Sequence, residues 1–418
     1  MKILTAAYAC EPGRGSEPGA GWMWIREIAR RHEVWAITRA NNRVAIEQAL
    51  ASEPLENVHW VWFDLPPSAC FWKYGAGGVR AYAYLWQWAI GGVARRLDLR
   101  EHFDLVHHLT LSSAWTPSGL ARLAKPFVWG PLGGLEQTDP RLRSALRLAE
   151  RAGDAARWAA VALGGFDPLA ALTARRADRI LIQSPAAACR LGRAARERGV
   201  GMDSIGVELR HGRPVSSGPD FELISVGELR PHKGHWLGIE AFARMLDAVP
   251  RARYTIVGEG PERARLEAQV ARLELTNKVR LLGRLPREAA MEMTAAADLM
   301  LHPCLRDPPV YAVAEAMAAA RPLAALDAGA MREQIGEEAG KLVEPTDEAE
   351  TARRLADALV ELARDPARRE RMGAAGQRRA AAHFDWRKKG ERLEEIYRDA
   401  IAAYSAGRER ATCAFGSA

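Results

Sequence analysis

The sequence predicts an α/β protein: two doubly wound parallel sheets in tandem, facing a central cleft. Three observations predict this. Short apolar runs alternate with helical runs along most of the chain, as in a parallel sheet covered on both faces. The alternation breaks once, at the Gly-, Pro- and Ser-rich stretch "SIGVELRHGRPVSSGPD", and then starts again. The length, 418 residues, suits two such domains.

Taken in order, "KILTAAY" reads as a buried strand, followed by the polar, glycine-rich loop "ACEPGRGSEPGAG" and a helix from Trp22 to about Arg31. "EVWAITR" and "VHWVWFDL" are the next strands, residues 77–98 a long helical segment, and "FDLVHHLT", "KPFVWGPLGG" and "ADRILIQS" three further strands. After the break, "FELISVGEL", "RYTIVGEG", "KVRLLGRL", "DLMLHP", "PLAALD" and "GKLVEP" are strands separated by helical runs, and residues 351–404 are nearly all helical. The expected boundaries are an N-terminal domain over 1–205, a linker over 206–219 and a C-terminal domain over 220–382. A last helix over 383–404 returns to the first domain, and a flexible tail covers 405–418.

Composition narrows the classes. The chain is 48% hydrophobic and 27% charged, ample for buried cores. The net charge of +7 fits an arginine-rich soluble protein or one drawn to phosphates or anionic lipid. Basic residues are scattered and no nucleic-acid motif appears, so nucleic acid is not an expected partner. The five cysteines lie far apart with no C-x-x-C pair, which argues against a zinc site or disulfide framework and fits a reducing cytoplasm. "MKILTAAYACEPG" reads as a first strand and not a signal peptide, and no run reaches the roughly 18 apolar residues of a spanning helix. Membrane contact, where expected, is peripheral: residues 71–97 mix aromatics with Arg80, Arg95 and Arg96, as a surface resting on an anionic leaflet does.

In doubly wound sheets ligands gather at the carboxyl ends of strands, so the chemistry is expected in the loops there. "SVGELRPHKG" places Arg230 and Lys233 between a strand and a helix, where cations and free amides hold phosphates. Gly258 of "IVGEGPE" and Arg284 of "LLGRLPREAA" follow the next two strands. In "LHPCLRDPPVYAVAEAMAAARP", Asp307 precedes two prolines that open a helix carrying Glu315. The amides of Val310, Tyr311 and Ala312 lack partners within that helix and face an anion at its positive end. At a rise of about 1.5 Å per residue, the two acids stand on the order of 10 Å apart, the span of a diphosphate with a sugar at each end. His107 and His108 close the strand "FDLVHHLT"; alternation lets only one face a given side. Gly19 and Gly21 let backbone approach a ligand closely, and Gly133, Gly134 and Glu136 follow another strand end.

Together these segments resemble the retaining, nucleotide-sugar-dependent glycosyltransferases of family 4, with the GT-B architecture of two Rossmann-like domains. "ACEPGRGSEPGAGW", "FDLVHHLT" and "PFVWGPLGG" resemble a bacterial branch serving surface polysaccharides. The resemblance implies a UDP- or GDP-sugar donor, no cofactor, no metal and a hexosyltransferase acting with retention. The acceptor expected is a glycan or a polyprenyl-diphosphate-linked oligosaccharide, met by a cytoplasmic protein with peripheral contact at the inner face of the cytoplasmic membrane. Lys233, with Arg230, would neutralise the diphosphate, Glu315 would hold the ribose and Asp307 the donor sugar. His107 or His108 would lie beside the anomeric carbon, with His107 favoured. The chain departs from the family at two places: Glu228 stands where the family has arginine, and Pro308, Pro309 and Val310 stand where it has glycine-rich residues. They motivate an alternative, a catalytically impaired nucleotide-sugar or glycan-binding protein on the same scaffold.

Overall fold

The computed structural model describes residues 1–72, 78–111, 113–210 and 220–415. The chain forms two compact units. The first comprises Met1–Leu135, Ala160–Ser204 and Trp386–Ala418; the second comprises Glu136–Ala159 and Ile205–Asp385.

The first unit holds seven strands: β1 (Lys2–Ala6), β2 (Glu33–Thr38), β3 (Val58–Trp62), β4 (Leu105–His108), β5 (Phe127–Leu132), β6 (Arg179–Ile182) and β7 (Gly199–Gly201). They pair in the order β3-β2-β1-β4-β5-β6-β7, all parallel. The order reverses between β1 and β4, which brings Thr5 opposite His107 and Ala6 opposite His108. One face packs on Tyr82, Trp86 and Ile90 of the helix Val79–Glu101. The helix Trp386–Phe415 packs on the helix Ser16–Ala29 and against β5 and β6. Its anchor is specific: Trp386 meets Trp24 edge to face at 5.2 Å, and the buried Lys389 ammonium donates to the Asp203 carbonyl at 2.8 Å.

The second unit holds six parallel strands: β8 (Phe221–Val226), β9 (Ala252–Val257), β10 (Val279–Gly283), β11 (Leu299–His302), β12 (Leu323–Leu326) and β13 (Gly340–Val343). Their order is β10-β9-β8-β11-β12-β13, with the reversal between β8 and β11. One apolar layer sets Phe221, Leu223, Tyr254 and Leu301 against Trp236, Phe242, Leu355 and Leu359. The other sets Ile224, Met300 and Ala325 against Val313, Met317 and Ile335. Continuous apolar strands follow from this double cover.

Three boundaries differ from the sequence reading. Residues 136–159 belong to the second unit, although they precede β6 of the first. Leu142 and Leu146, both buried, enter the core that holds Leu229 and Trp236, and this apolar burial holds the segment there. The last helix runs on to Phe415, across most of the expected tail. Of the expected linker, residues 211–219 lie outside the described residues, while Val207 is bridged to Asp385 within the second unit. Among the described residues no helix is long and apolar enough to cross a membrane.

Candidate functional site

The switch point between β8 and β11 positions two loops of the second unit side by side. After β8 the chain runs through Glu228, Arg230 and a single 3-10 turn, Pro231–Lys233, into the helix His235–Met245. Gly234 makes that turn possible. Its φ is +66°, and a Cβ there would lie 2.0 Å from the Pro303 carbonyl oxygen. The loops are then joined by the Leu305 amide, which donates to the His232 carbonyl at 2.8 Å. This contact delivers Lys233 to Asp307, with Nζ 2.6 Å from Oδ2. His302, the last residue of β11, sets Nε2 3.3 Å from the same oxygen.

Electrostatics keep the pair charged. Burial works against ionisation of Asp307, but the Lys233 ammonium and His302 outweigh it and hold the carboxyl well below the usual carboxylate range. Burial also pulls on Lys233, and the Asp307 carboxylate reverses that, leaving its pKa raised. Asp307 is therefore a permanent carboxylate at neutral pH, suited to accepting hydroxyls and unsuited to donating a proton. His232 is lowered to about 4, first by burial; Asp307 opposes this, and Lys233, Arg230 and Arg157 add to it.

The helix that follows runs Tyr311–Ala318 with Val310 as its extended N-cap. The Val310 amide is not open: it donates to Gln334 Oε1 at 2.9 Å, while Gln334 Nε2 donates back to the Val310 carbonyl at 2.8 Å. Valine has no capping oxygen, so the buried Gln334 supplies one. The first-turn amide of Ala312 has no acceptor within the helix. Glu315 Oε1 accepts from Arg287 at 2.9 Å (Nε) and 2.6 Å (Nη2). Burial raises the Glu315 pKa, and the Arg287 charge opposes the rise.

Other expected residues stand apart from this group. Arg230 is exposed and donates to Glu228 Oε2 at 2.6 Å, so the Glu228 charge is neutralised within its own loop. Arg284 is exposed after β10. Gly258 serves packing: a Cβ there would sit 1.8 Å from the Gly227 oxygen, so it lets the turns after β8 and β9 meet. In the first unit, Gly19 and Gly21 lie inside the helix Ser16–Ala29. Their missing side chains make room for the chain itself, since a Cβ would lie 1.9 Å from the Arg14 oxygen or 2.1 Å from the Ala9 oxygen. The glycines let the loop close over its own helix.

The histidines of β4 separate clearly. His107 is fully buried, with Nδ1 2.7 Å from the Tyr397 hydroxyl and Nε2 2.9 Å from the Gly130 carbonyl oxygen. Both nitrogens are engaged, and burial lowers its pKa to about 3. His108 is also buried, places Nε2 3.1 Å from the Thr110 carbonyl oxygen, and is lowered to about 4 by burial.

Sequence reading gave no role to Arg287, His302, Gln334 or Arg306. His302 had a signal, as the terminal residue of a strand ending at the loop that carries Asp307. Arg287 lies in the first turn of a helix just beyond β10, a place read only for Arg284. Gln334 and the partners of Arg306 are remote in sequence, and nothing local pointed to them.

Comparison with known proteins places this geometry. The family described as "Glycosyl transferases group 1" matches residues 210–379. The D-inositol 3-phosphate glycosyltransferase of Thermomonospora curvata is 30% identical over 342 residues, 73% of this chain and 74% of the relative. The chain belongs to the group 1 glycosyl transferases. Another curated relative of this group 1 transferase, the 2-deoxystreptamine glucosyltransferase of Streptomyces kanamyceticus, is 32% identical over 145 residues, 34% of this chain and 37% of the relative. The match thus spans well under half the length of that protein. Among solved structures, sucrose-phosphate synthase from Thermosynechococcus elongatus aligns over 96% of this chain and 99% of its own, with TM-score 0.66 and 19% identity. Anabaena HepE, in complex with UDP and glucose, aligns over 94% and 98%, with TM-score 0.58 and 19% identity. These likenesses establish for the group 1 transferase the GT-B fold of two Rossmann-like domains.

Proposed function

We propose that the chain transfers a hexose, with retention, from a UDP- or GDP-sugar to a glycan acceptor, in the manner of family 4. The observation that carries this reading is the Lys233–Asp307 pair in the loops that precede the helix Tyr311–Ala318. Lys233, Arg230 and the amides of Tyr311 and Ala312 receive the diphosphate. Glu315, oriented by Arg287, accepts the ribose hydroxyls. Asp307 accepts hydroxyls of the transferred sugar. The bond from the anomeric carbon to the diphosphate oxygen breaks, and the acceptor hydroxyl oxygen bonds to the same face. Its proton leaves with the diphosphate, whose charge the cations and the helix end stabilise without a metal. With His107 locked between Tyr397 and Gly130, His108 is the histidine proposed for the sugar.

The acceptor proposed is a polyprenyl-diphosphate-linked oligosaccharide of a bacterial surface polysaccharide, met at the inner face of the cytoplasmic membrane. Phe71 (79% exposed), Leu85 and Leu99 lie on or before the helix Val79–Glu101 with exposed Arg95 and Arg96, which supports peripheral contact with anionic lipid.

A thermal-shift panel of UDP- and GDP-sugars with EDTA present, followed by donor-hydrolysis assays, tests the site. One donor is expected to raise the melting temperature. Lys233→Ala and Glu315→Ala are each expected to lose that shift and roughly a hundredfold or more in turnover. Wild-type behaviour in both variants sinks the assignment. Glu228 and the Pro308–Pro309 pair favour a second reading, donor binding without catalysis; calorimetric binding with no turnover on any lipid-linked acceptor would establish it.

A further inference from the structure

The segment Glu136–Ala159 forms a strap on the second unit, and three of its polar ties reach residues beyond strand ends. Arg147 Nη2 donates to Glu262 Oε1 at 2.7 Å, past β9, and Arg141 Nη1 donates to Glu344 Oε1 at 3.0 Å, past β13. Past β11, Asp154 forms an ion pair with Arg306, which also donates to Thr138 Oγ1 at 3.3 Å. Arg306 immediately precedes Asp307. The strap therefore runs along the ligand-bearing edge of the second sheet and grips the loop that carries the proposed sugar carboxylate.

Glu136 opens this strap. Its backbone is pinned, the carbonyl accepting from Arg157 Nη2 at 3.3 Å. Its side chain is only 4% exposed, yet among the described residues no donor reaches either carboxylate oxygen. Burying a carboxylate with neither oxygen hydrogen-bonded is costly, and folded proteins rarely tolerate it without use. Ordinary packing does not account for it, since glutamine or leucine would fill the space at less cost. The surroundings decide the ligand class. Arg157 on the Glu136 carbonyl and Arg306 on Thr138 set cations around this stretch, which disfavours a metal or ammonium ligand. A neutral O–H donor fits a bare carboxylate best.

We propose that Glu136 is a sugar-hydroxyl acceptor, held by the strap beside the Lys233–Asp307 loop to bind the sugar half of the nucleotide sugar. The assignment rests on the donor reading above and adds a residue to it. The strap explains why residues 136–159 leave the first unit's chain path: they carry a second carboxylate to the sugar that Asp307 alone would otherwise hold.

Calorimetry on the full chain with UDP, UDP-glucose, GDP and GDP-mannose, for wild type, Glu136→Gln, Glu136→Ala and Lys233→Ala, tests it. Both Glu136 variants are expected to bind the free nucleotide as wild type does and to bind the nucleotide sugar roughly ten- to a hundredfold more weakly. Unliganded Glu136→Gln is expected to melt at or above the wild-type temperature, because a buried unsatisfied charge is removed. A structural glutamate would instead lower the melting temperature and weaken nucleotide and nucleotide sugar alike, and that result overturns the proposal. Unchanged affinity for every probe in both Glu136 variants also overturns it. If those variants are silent while Lys233→Ala loses binding, the donor reading stands and only Glu136 falls. If wild type binds none of the four probes, both fall together.

Discussion

Lys233 and Asp307 each depend on the other to stay ionised away from water, so single and double substitutions should diverge. Asp307→Ala strands an ammonium that is 17% exposed, and about 3 kcal/mol of stability should go with it. Lys233→Met with Asp307→Leu should recover most of that loss, because an apolar pair of similar volume has no charge to desolvate. Urea unfolding of the three variants checks this; equal losses in single and double variants would show that the pair is not coupled. The sign with pH follows from the shifts. Asp307 is depressed, so its contribution is complete above its unfolded value near ~4 and is lost as acid carries the pH down through the folded value. Lys233 is raised, so its contribution is complete below ~10.4 and is lost as base carries the pH up through the folded value. Arg230 and Glu228 are both more than half exposed, and their pair should add under about 1 kcal/mol. Arg230→Ala is thus expected to leave the melting temperature nearly unchanged while weakening nucleotide binding, read by calorimetry.

At the level of elements, the strands were legible because a strand buried on both faces has to be apolar throughout, and runs such as "FELISV" and "DLMLH" have no other use. The helix that follows Pro308 and Pro309 was legible as well, but both prolines lie ahead of it: its first turn starts at Tyr311, behind the N-cap Val310. What was not legible depended on distance along the chain. The glycines of "GSEPGAGW" read as a ligand loop, but they lie within a helix whose tight neighbour is the preceding loop, and no sequence pattern distinguishes the two uses. Gly21→Ala tests the structural use: its methyl would lie 2.1 Å from the Ala9 oxygen and 2.9 Å from Thr110 Cγ2. The variant should lose on the order of 2 kcal/mol by thermal melt; a neutral result would mean that the loop moves aside freely. The strap was illegible for a related reason. Leu142 and Leu146 mark one more amphipathic stretch, and amphipathicity says that a face is covered without saying by which sheet.

On the scale of the molecule, several imidazoles are buried neutral. His107 and His235 are lowered to about 3, and His108 and His232 to about 4, in each case first by burial. All lie below the unfolded value near ~6.5, so the unfolded chain binds more protons between those limits. Their contribution is complete above about pH 6.5 and is lost as the pH falls toward the folded values. The melting temperature should therefore decline steadily from pH 6.5 to 4, ahead of most carboxylates. A flat profile across that range, by calorimetric scans, would contradict neutral burial at these sites.

The order in which the chain visits its two units carries a consequence for biogenesis. The first unit is begun by Met1–Leu135 and finished by Trp386–Ala418, and its fully buried His107 receives the Tyr397 hydroxyl from that last piece. A nascent chain can therefore present the whole second unit outside the ribosome, folded, while the first still waits for its closing helix to emerge. Chains arrested at residue 385 should show a protease-resistant second unit beside a digestible first, and release of the final segment should convert one into the other.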